Sequence, residues 1–244
     1  MKPSVFFAVI ACICALVACI CAGTSVSAQS CGGGCNDPNC ACCDCYGNCL
    51  IDSSGGCCGV SPIVIDVSGD GFLLTSAEQG VDFDFFGRGT KIHLSWTDSS
   101  AKNAWLVLDR NHNGVIDDGT EMFGNITPQP KSKTPNGFLA LRVFDLPGNG
   151  GNGDGVIDAK DRIYSSLRLW IDANHNGISE ANELFTLPEL DVISINLDYH
   201  ESEKIDQFGN RFRYRSSVVG AQHSSVDRFI YDVFLIVDQK KNTL

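Results

Sequence analysis

The sequence predicts an α+β domain in which short strands and short helices surround acidic turn loops, followed by a β-rich C-terminal extension. Three observations carry this expectation. Apolar runs of strand length, "IVID", "AWLVLD", "LRLWID" and "VISINLDY", each lead into an acid or a polar turn. The stretch "NGFLALRVFD" sets Phe138, Leu141, Val143 and Phe144 at mixed helical spacing behind Asn136, a residue able to cap a helix. Finally, "HESEKIDQFGNRFRYRSSVVG" alternates polar and apolar residues around a turn, and "RFIYDVFLIV" reads as a last strand.

The chain begins with Lys2, an unbroken apolar run from Val5 to Ala22 and the small residues Val26-Ser27-Ala28. This pattern predicts a secretory signal over residues 1–28. Two alternatives stay open, an uncleaved anchor and lipidation at Cys19 within "LVAC". All three place the remainder outside the cytoplasm, in the periplasm, at the cell surface or secreted. Of thirteen cysteines, nine lie between Cys31 and Cys58 and none follows. Residues 29–60 are therefore expected to be a disulfide-bearing, cysteine-rich segment. The spacings of Cys40, Cys43, Cys45 and Cys49 would also suit zinc, but an oxidising compartment favours disulfides. The texture changes at Ser61, which opens a domain expected to span 61–198, with the extension at 199–244. "ITPQPKSKTPNG" reads as an exposed loop.

A formal charge of −11 argues against nucleic acid and against anionic membranes, which select basic surfaces. It suits a protein that gathers cations. Membrane contact is expected only through an N-terminal anchor or lipid, and no protein partner is identified by the sequence.

The pattern N-H-N-G occurs twice, in "DANHNGISEANE" and "DRNHNGVIDDGTE". A twelve-residue calcium loop needs oxygen ligands at positions 1, 3, 5, 7, 9 and 12, with glycine at 6 where the backbone bends. Counting from Asp172 gives Asn174, Asn176, Gly177, the Ile178 carbonyl, Glu180 and Glu183, so every position is filled. Asp109 begins a second copy with Asn111, Asn113, Gly114, the Val115 carbonyl and Asp117. Here one extra residue precedes the closing acid, making Glu121 the counterpart of Glu183.

A third loop offers Asn152, Asp154, Gly155, the Val156 carbonyl, Asp158 and Asp161, with Asp145 reaching across a glycine-rich insertion to supply the first ligand. "NGFLALRVF" before it and "AKDRIYSSL" after it predict a helix-loop-helix frame of EF-hand kind. A fourth candidate, Asp66, Ser68, Asp70 and Gly71, has only the front half of a loop. "DFDFFGRG" is set aside because Arg88 stands where an acid would be useful. His112 and His175, at position 4, are expected to be solvent-exposed turn residues. Ser179, where paired loops usually carry an apolar side chain, predicts little cooperativity.

The order "DVSGDG", "GVDFDFFGRG", "LVLDRNHNGVIDDGTEMFG", "NGFLALRVFD", "GDGVIDAKD", "LRLWIDANHNGISEANEL" and "LPELDVISINL" resembles the calcium-dependent self-processing module of iron-regulated RTX-type secreted proteins and related haemolysin-type calcium-binding proteins. The likeness runs from about Pro62 to Leu197. It implies a calcium-folded module and, in processing members, cleavage of an Asp-Pro bond just before the first strand through attack by the aspartate carboxylate. In this chain the junction is Ser61-Pro62, and serine has no carboxylate. Asp37-Pro38, the one Asp-Pro pair, lies far upstream and reads as a turn.

The resulting expectation is a secreted or cell-surface protein, not an enzyme, whose domain is folded and stabilised by Ca2+ at EF-hand-like loops. The alternatives are a calcium-triggered autoprocessing module, which Ser61 disfavours, and a structural or adhesive module linked by disulfides. The histidines and serines supply no nucleophile, base and orienting group at catalytic spacing.

Overall fold

The computed structural model describes residues 59–221, 228–238 and 241. The expected signal segment, and all but the last two residues of the cysteine-rich segment, lie outside the described residues.

Eleven strands and one α-helix follow in order: β1 (Ile63–Asp66), β2 (Val81–Phe83), β3 (Ile92–Leu94), β4 (Asn103–Val107), α1 (Gly137–Arg142), β5 (Val156–Ile157), β6 (Arg168–Trp170), β7 (Leu184–Phe185), β8 (Ser194–Asn196), β9 (His200–Ile205), β10 (Arg211–Val219) and β11 (Arg228–Phe234). Nine strands form one antiparallel sheet in the order β5-β8-β10-β11-β1-β4-β6-β7, with β9 also paired to β10. β2 and β3 form a separate hairpin.

The α+β expectation is overturned. The described chain is mostly β, and its single α-helix has six residues. That helix is the one expected behind Asn136, whose side chain accepts from Leu139 N at 3.0 Å. Of the helix-loop-helix frame expected around the third loop, only this first helix forms. "AKDRIYSSL" closes as successive turns, with Tyr164 N on Asp161 O and Ser166 N on Ile163 O. Ser165 and Ser166 are weak helix formers.

As "AWLVLD" and "LRLWID" implied, the loops from Asp109 and Asp172 follow strands: the first runs from β4 to an antiparallel bridge between Val107 and Met122, and the second joins β6 to β7. Each hairpin is pinned at its neck by a backbone bond: Leu108 N donates to Glu121 O at 2.8 Å, and Ile171 N donates to Glu183 O at 3.0 Å. Within the segment expected to form an extension, the described residues supply β9, β10 and β11 to this same sheet. β10 and β11 lie in the middle of the sheet, and β11 pairs with β1 in a register set by Ile63↔Asp232 and Ile65↔Ile230.

The alternation of side chains along each strand explains why the sheet is central. Ile63, Ile65, Ala104 and Leu106 enter one core with Phe138, Leu141, Leu169 and Ile195. Val64, Trp105 and Val107 enter a second core on the other face with Phe83, Trp96, Met122 and Trp170. Both faces are thus buried, which is why β1 and β4 read as unbroken apolar runs rather than alternating ones. In the second core Trp96 lies 4.9 Å from Trp105 and 5.5 Å from Trp170, ring centre to ring centre, and Phe83 packs 5.3 Å from Trp96. Offset and edge contacts of this kind add to the area that the rings bury.

Candidate metal centre

Each loop begins with an aspartate folded back over its own turn. Asp109 accepts Asn113 N at 3.2 Å and Gly114 N at 2.9 Å. Asp172 accepts Asn176 N at 3.1 Å and Gly177 N at 2.8 Å. Asp145 does reach across the insertion, accepting Gly153 N at 2.9 Å and Gly155 N at 3.0 Å. Asp66 accepts Gly69 N at 2.9 Å and Gly71 N at 2.7 Å, with Ser68 Oγ at 3.3 Å. Asp70 is exposed and shows no such bond to the loop.

The glycine at position 6 is left-handed in every case, with φ of 87° at Gly114, 68° at Gly177, 86° at Gly155 and 106° at Gly71. Glycine reaches that region without steric cost. Position 4 is left-handed too, and here the N-H-N-G repeat becomes intelligible. Gly153 and Gly69 occupy it in two loops, whereas His112 (φ 61°) and His175 (φ 57°) occupy it in the others.

His112 is exposed, as expected, but His175 is not a free turn residue. Its Nδ1 lies 2.8 Å from Thr97 O and its Nε2 2.7 Å from Gln79 O, tying the loop to segments flanking the β2–β3 hairpin. This backbone repeat also extends to a segment that the sequence reading set aside. Asp84 accepts Arg88 N at 3.1 Å and Gly89 N at 2.5 Å, and Gly87 and Gly89 have positive φ. Its signal was the spacing of Asp84, Gly87 and Gly89, which matches that of Asp66, Gly69 and Gly71. The Asp84 turn has no closing acid.

The closing acids make equivalent contacts in three loops. Glu183 accepts Ala173 N at 2.9 Å and Glu180 N at 3.4 Å. Glu121 accepts Arg110 N and Asp117 N, both at 2.9 Å, so the extra residue bulges out and leaves the carboxylate in the same role. Asp161 accepts Asn152 N at 3.2 Å and Asp158 N at 2.8 Å. All three are buried.

The acids at position 9 meet the asparagines. Asp117 Oδ2 accepts from the amides of Asn111 and Asn113 at 3.1 and 2.5 Å. Glu180 Oε1 accepts from those of Asn174 and Asn176 at 3.1 and 2.8 Å. In the third loop a cationic side chain intervenes: Lys160 Nζ lies 3.2 Å from Asp154 and 3.1 Å from Asp158. The Asn152 amide donates to Asp154 at 2.7 Å.

Glu180 Oε2 is buried and receives no donor. Burial, and then contact with Glu180, pushes the Glu183 carboxyl above its ordinary pKa, while the Glu183 contact holds Glu180 below it. Two carboxyl groups in contact need a proton or a cation between them. Trp170 Nε1 also lies 3.3 Å from Glu183 Oε2. In this structure the carboxylates face mainly backbone N–H groups, and among the described residues no three His, Cys, Asp or Glu side chains gather into one cluster. The residues nonetheless fit a hard cation. Each of the three loops offers oxygen donors alone and a buried closing acid; the first aspartate is buried as well in the Asp145 and Asp172 loops and half-buried in the Asp109 loop, and the position-7 carbonyl completes the set.

The Ser61-Pro62 junction is built into the sheet. Ser61 is fully buried, its N–H donates to Asn125 Oδ1 at 2.9 Å and its Oγ accepts Asn125 N at 3.0 Å. Val60 O and Pro62 O accept Leu235 N and Val233 N, each at 3.0 Å. No carboxylate is borne by residue 61.

The chain that builds this antiparallel sheet and its acid loops belongs to the SPM domain family, whose model matches residues 63–236. The chain is also 38% identical over 159 residues to the iron-regulated protein FrpA of Neisseria meningitidis serogroup C. That match covers 64% of this chain and 14% of FrpA, so the chain corresponds to a small part of that protein. The kinship with iron-regulated proteins expected from motif order is borne out.

Proposed function

We propose that the chain is an extracytoplasmic calcium-binding protein whose SPM domain is stabilised by Ca2+ at the loops beginning at Asp109, Asp145 and Asp172, with the Asp66 turn as a weaker fourth. The observation that carries this reading is the Asp172 loop. Its Glu180 Oε2 is buried without a donor beside the buried Glu183, an arrangement that a divalent cation would relieve. Bound there, calcium would be held by Asp172, Asn174, Asn176, the Ile178 carbonyl, Glu180 and Glu183. The equivalent sets are Asp109, Asn111, Asn113, Val115, Asp117 and Glu121, and Asp145, Asn152, Asp154, Val156, Asp158 and Asp161.

The physical logic is linkage. An ion that binds only the folded chain stabilises it by about 2.7 kcal/mol per site when its concentration is 100 times Kd, a large part of ordinary domain stability. The export pattern of residues 1–28 and the cysteine usage support an extracytoplasmic setting, where calcium is abundant. The reading carries no enzymatic activity. Cleavage before Pro62 would need a side-chain carboxylate at residue 61, and Ser61 supplies a hydroxyl engaged with Asn125.

The test is a calcium titration of the full chain followed by calorimetry, thermal melting and mass spectrometry. Saturating binding with a rise in melting temperature and an unchanged mass is expected. A melting temperature indifferent to calcium would sink the stabilising role, and a fragment beginning at Pro62 would restore the self-processing alternative.

The three loops are not expected to be equal. Because Lys160 already neutralises Asp154 and Asp158, calcium must displace its ammonium from the third loop. Lys160→Gln is therefore expected to tighten that loop several-fold in calorimetric titration. Unchanged or weaker binding would show that the lysine does not compete.

A further inference from the structure

The eighth position of each loop lies between the position-7 carbonyl and the position-9 acid, so whatever holds it also steadies two proposed ligands. In the Asp109 loop this residue is Ile116, and in the Asp172 loop it is Ser179. Both are 3% exposed, and the two residues are directly joined. Ile116 N donates to Ser179 Oγ at 2.6 Å, and Ser179 Oγ lies 3.4 Å from Ile116 O, where it can donate in return. One hydroxyl thus serves both backbone polar groups of Ile116, which would otherwise be buried without partners.

The third loop is attached elsewhere. Its eighth residue, Ile157, belongs to β5 and pairs with Ile195 of β8. Gly155 O, two residues before it, accepts Leu197 N at 3.0 Å. The loops from Asp109 and Asp172 also contact a common support. Gly119 N donates to Asp84 O at 3.0 Å, just after β2, while Gly177 sits against Val81 within β2.

From these contacts we infer that the Asp109 and Asp172 loops form one coupled two-ion unit joined through Ser179, whereas the Asp145 loop binds alone. This rests on the calcium reading above and replaces the weak cooperativity that Ser179 suggested in sequence. The serine couples the loops because it is a hydroxyl aimed at backbone, a contact that an apolar side chain could not make. Ordering the 7-to-9 segment of one loop fixes the residue against which the other must order, and a shared two-state element of this kind is what cooperative binding requires.

The test follows the Asp172 loop by tryptophan emission, since Trp170 contacts Glu183, and follows the other loops by calorimetry. In the full chain, Glu121→Gln disables the partner loop without touching the Asp172 loop. It is expected to weaken the calcium affinity reported by tryptophan about fivefold. In a Ser179→Ala background Glu121→Gln should have no such effect, while Ser179→Thr, which keeps the hydroxyl, should restore it. Asp161→Asn should leave the reported affinity unchanged in every background. Circular dichroism confirms that each variant folds, and if Ser179→Ala does not, the comparison of wild type with Glu121→Gln and Asp161→Asn decides alone. An affinity insensitive to Glu121→Gln, or equally sensitive to Asp161→Asn, overturns the coupling while leaving calcium binding intact. Calcium that binds no loop of the folded chain overturns both.

Discussion

Glu183→Gln is expected to weaken calcium binding at the Asp172 loop by tenfold or more, a loss above about 1.4 kcal/mol. The substitution keeps shape and removes one formal charge along with the carboxylate able to bind an ion through both oxygens. Its effect without calcium should have the opposite sign. Glu183 is buried with its pKa raised and faces Glu180, so a neutral amide relieves two carboxyl groups in contact. Chelator-treated Glu183→Gln should melt no lower than wild type, and only in calcium should it fall behind. Calorimetry and paired melts with and without chelator measure both halves. If the tightest site survives Glu183→Gln and is lost in Glu121→Gln or Asp161→Asn, the assignment of ligands to loops is wrong.

The second large effect is a pH dependence originating far from the loops. Asp232 is fully buried on β11, where it accepts Gly137 N at the start of α1 and leaves Oδ1 without a partner. Burial pushes its carboxyl up to about 7, against smaller opposing effects from Gly137 N, the Ser61 hydroxyl and the Arg213 charge. The folded chain therefore keeps this proton while the unfolded chain, near 3.8, releases it. Stability from Asp232 is full below about pH 4, falls as pH rises toward about 7 and is lost above, with a total on the order of 4 kcal/mol. Glu180 and Asp154, held below their ordinary pKa, slope the other way, so the comparison must be internal. In chelator, chemical denaturation of wild type across pH 4 to 8 should lose stability relative to Asp232→Asn, whatever the absolute stability of the variant. Parallel pH profiles would show that Asp232 ionises normally in the fold.

Much of the candidate site was legible in sequence because its geometry is local. An aspartate at position 1, a glycine at 6 and an acid at 12 are all reached within one turn, so spacing reports their arrangement without knowledge of the rest of the molecule. Even the extra residue before Glu121 and the long reach of Asp145 could be inferred by aligning one loop with another. The segment of the Asp84 turn is set aside in sequence by the charge of Arg88, whereas its backbone spacing alone matches the other loops. His175 was misjudged because its partners, Thr97 O and Gln79 O, are remote in sequence.

By itself, then, the sequence determined the loops, their first and closing acids, the capped helix at Asn136 and the apolar runs that became strands. The tertiary structure alone decided how those strands are ordered. "LVLD" and "LRLWID" read as strands in sequence, but only partners distant in sequence choose which strand each one pairs with. Trp105 pairs with Trp170, and Ile63 with Asp232 across most of the chain. Those ladders drew β10 and β11 into the middle of the sheet and left the Asp172 loop between β6 and β7. They also placed Ser179 on Ile116, a contact across 63 residues. Backbone hydrogen bonds between segments so far apart carry no local signature, because any strand of suitable burial can satisfy them.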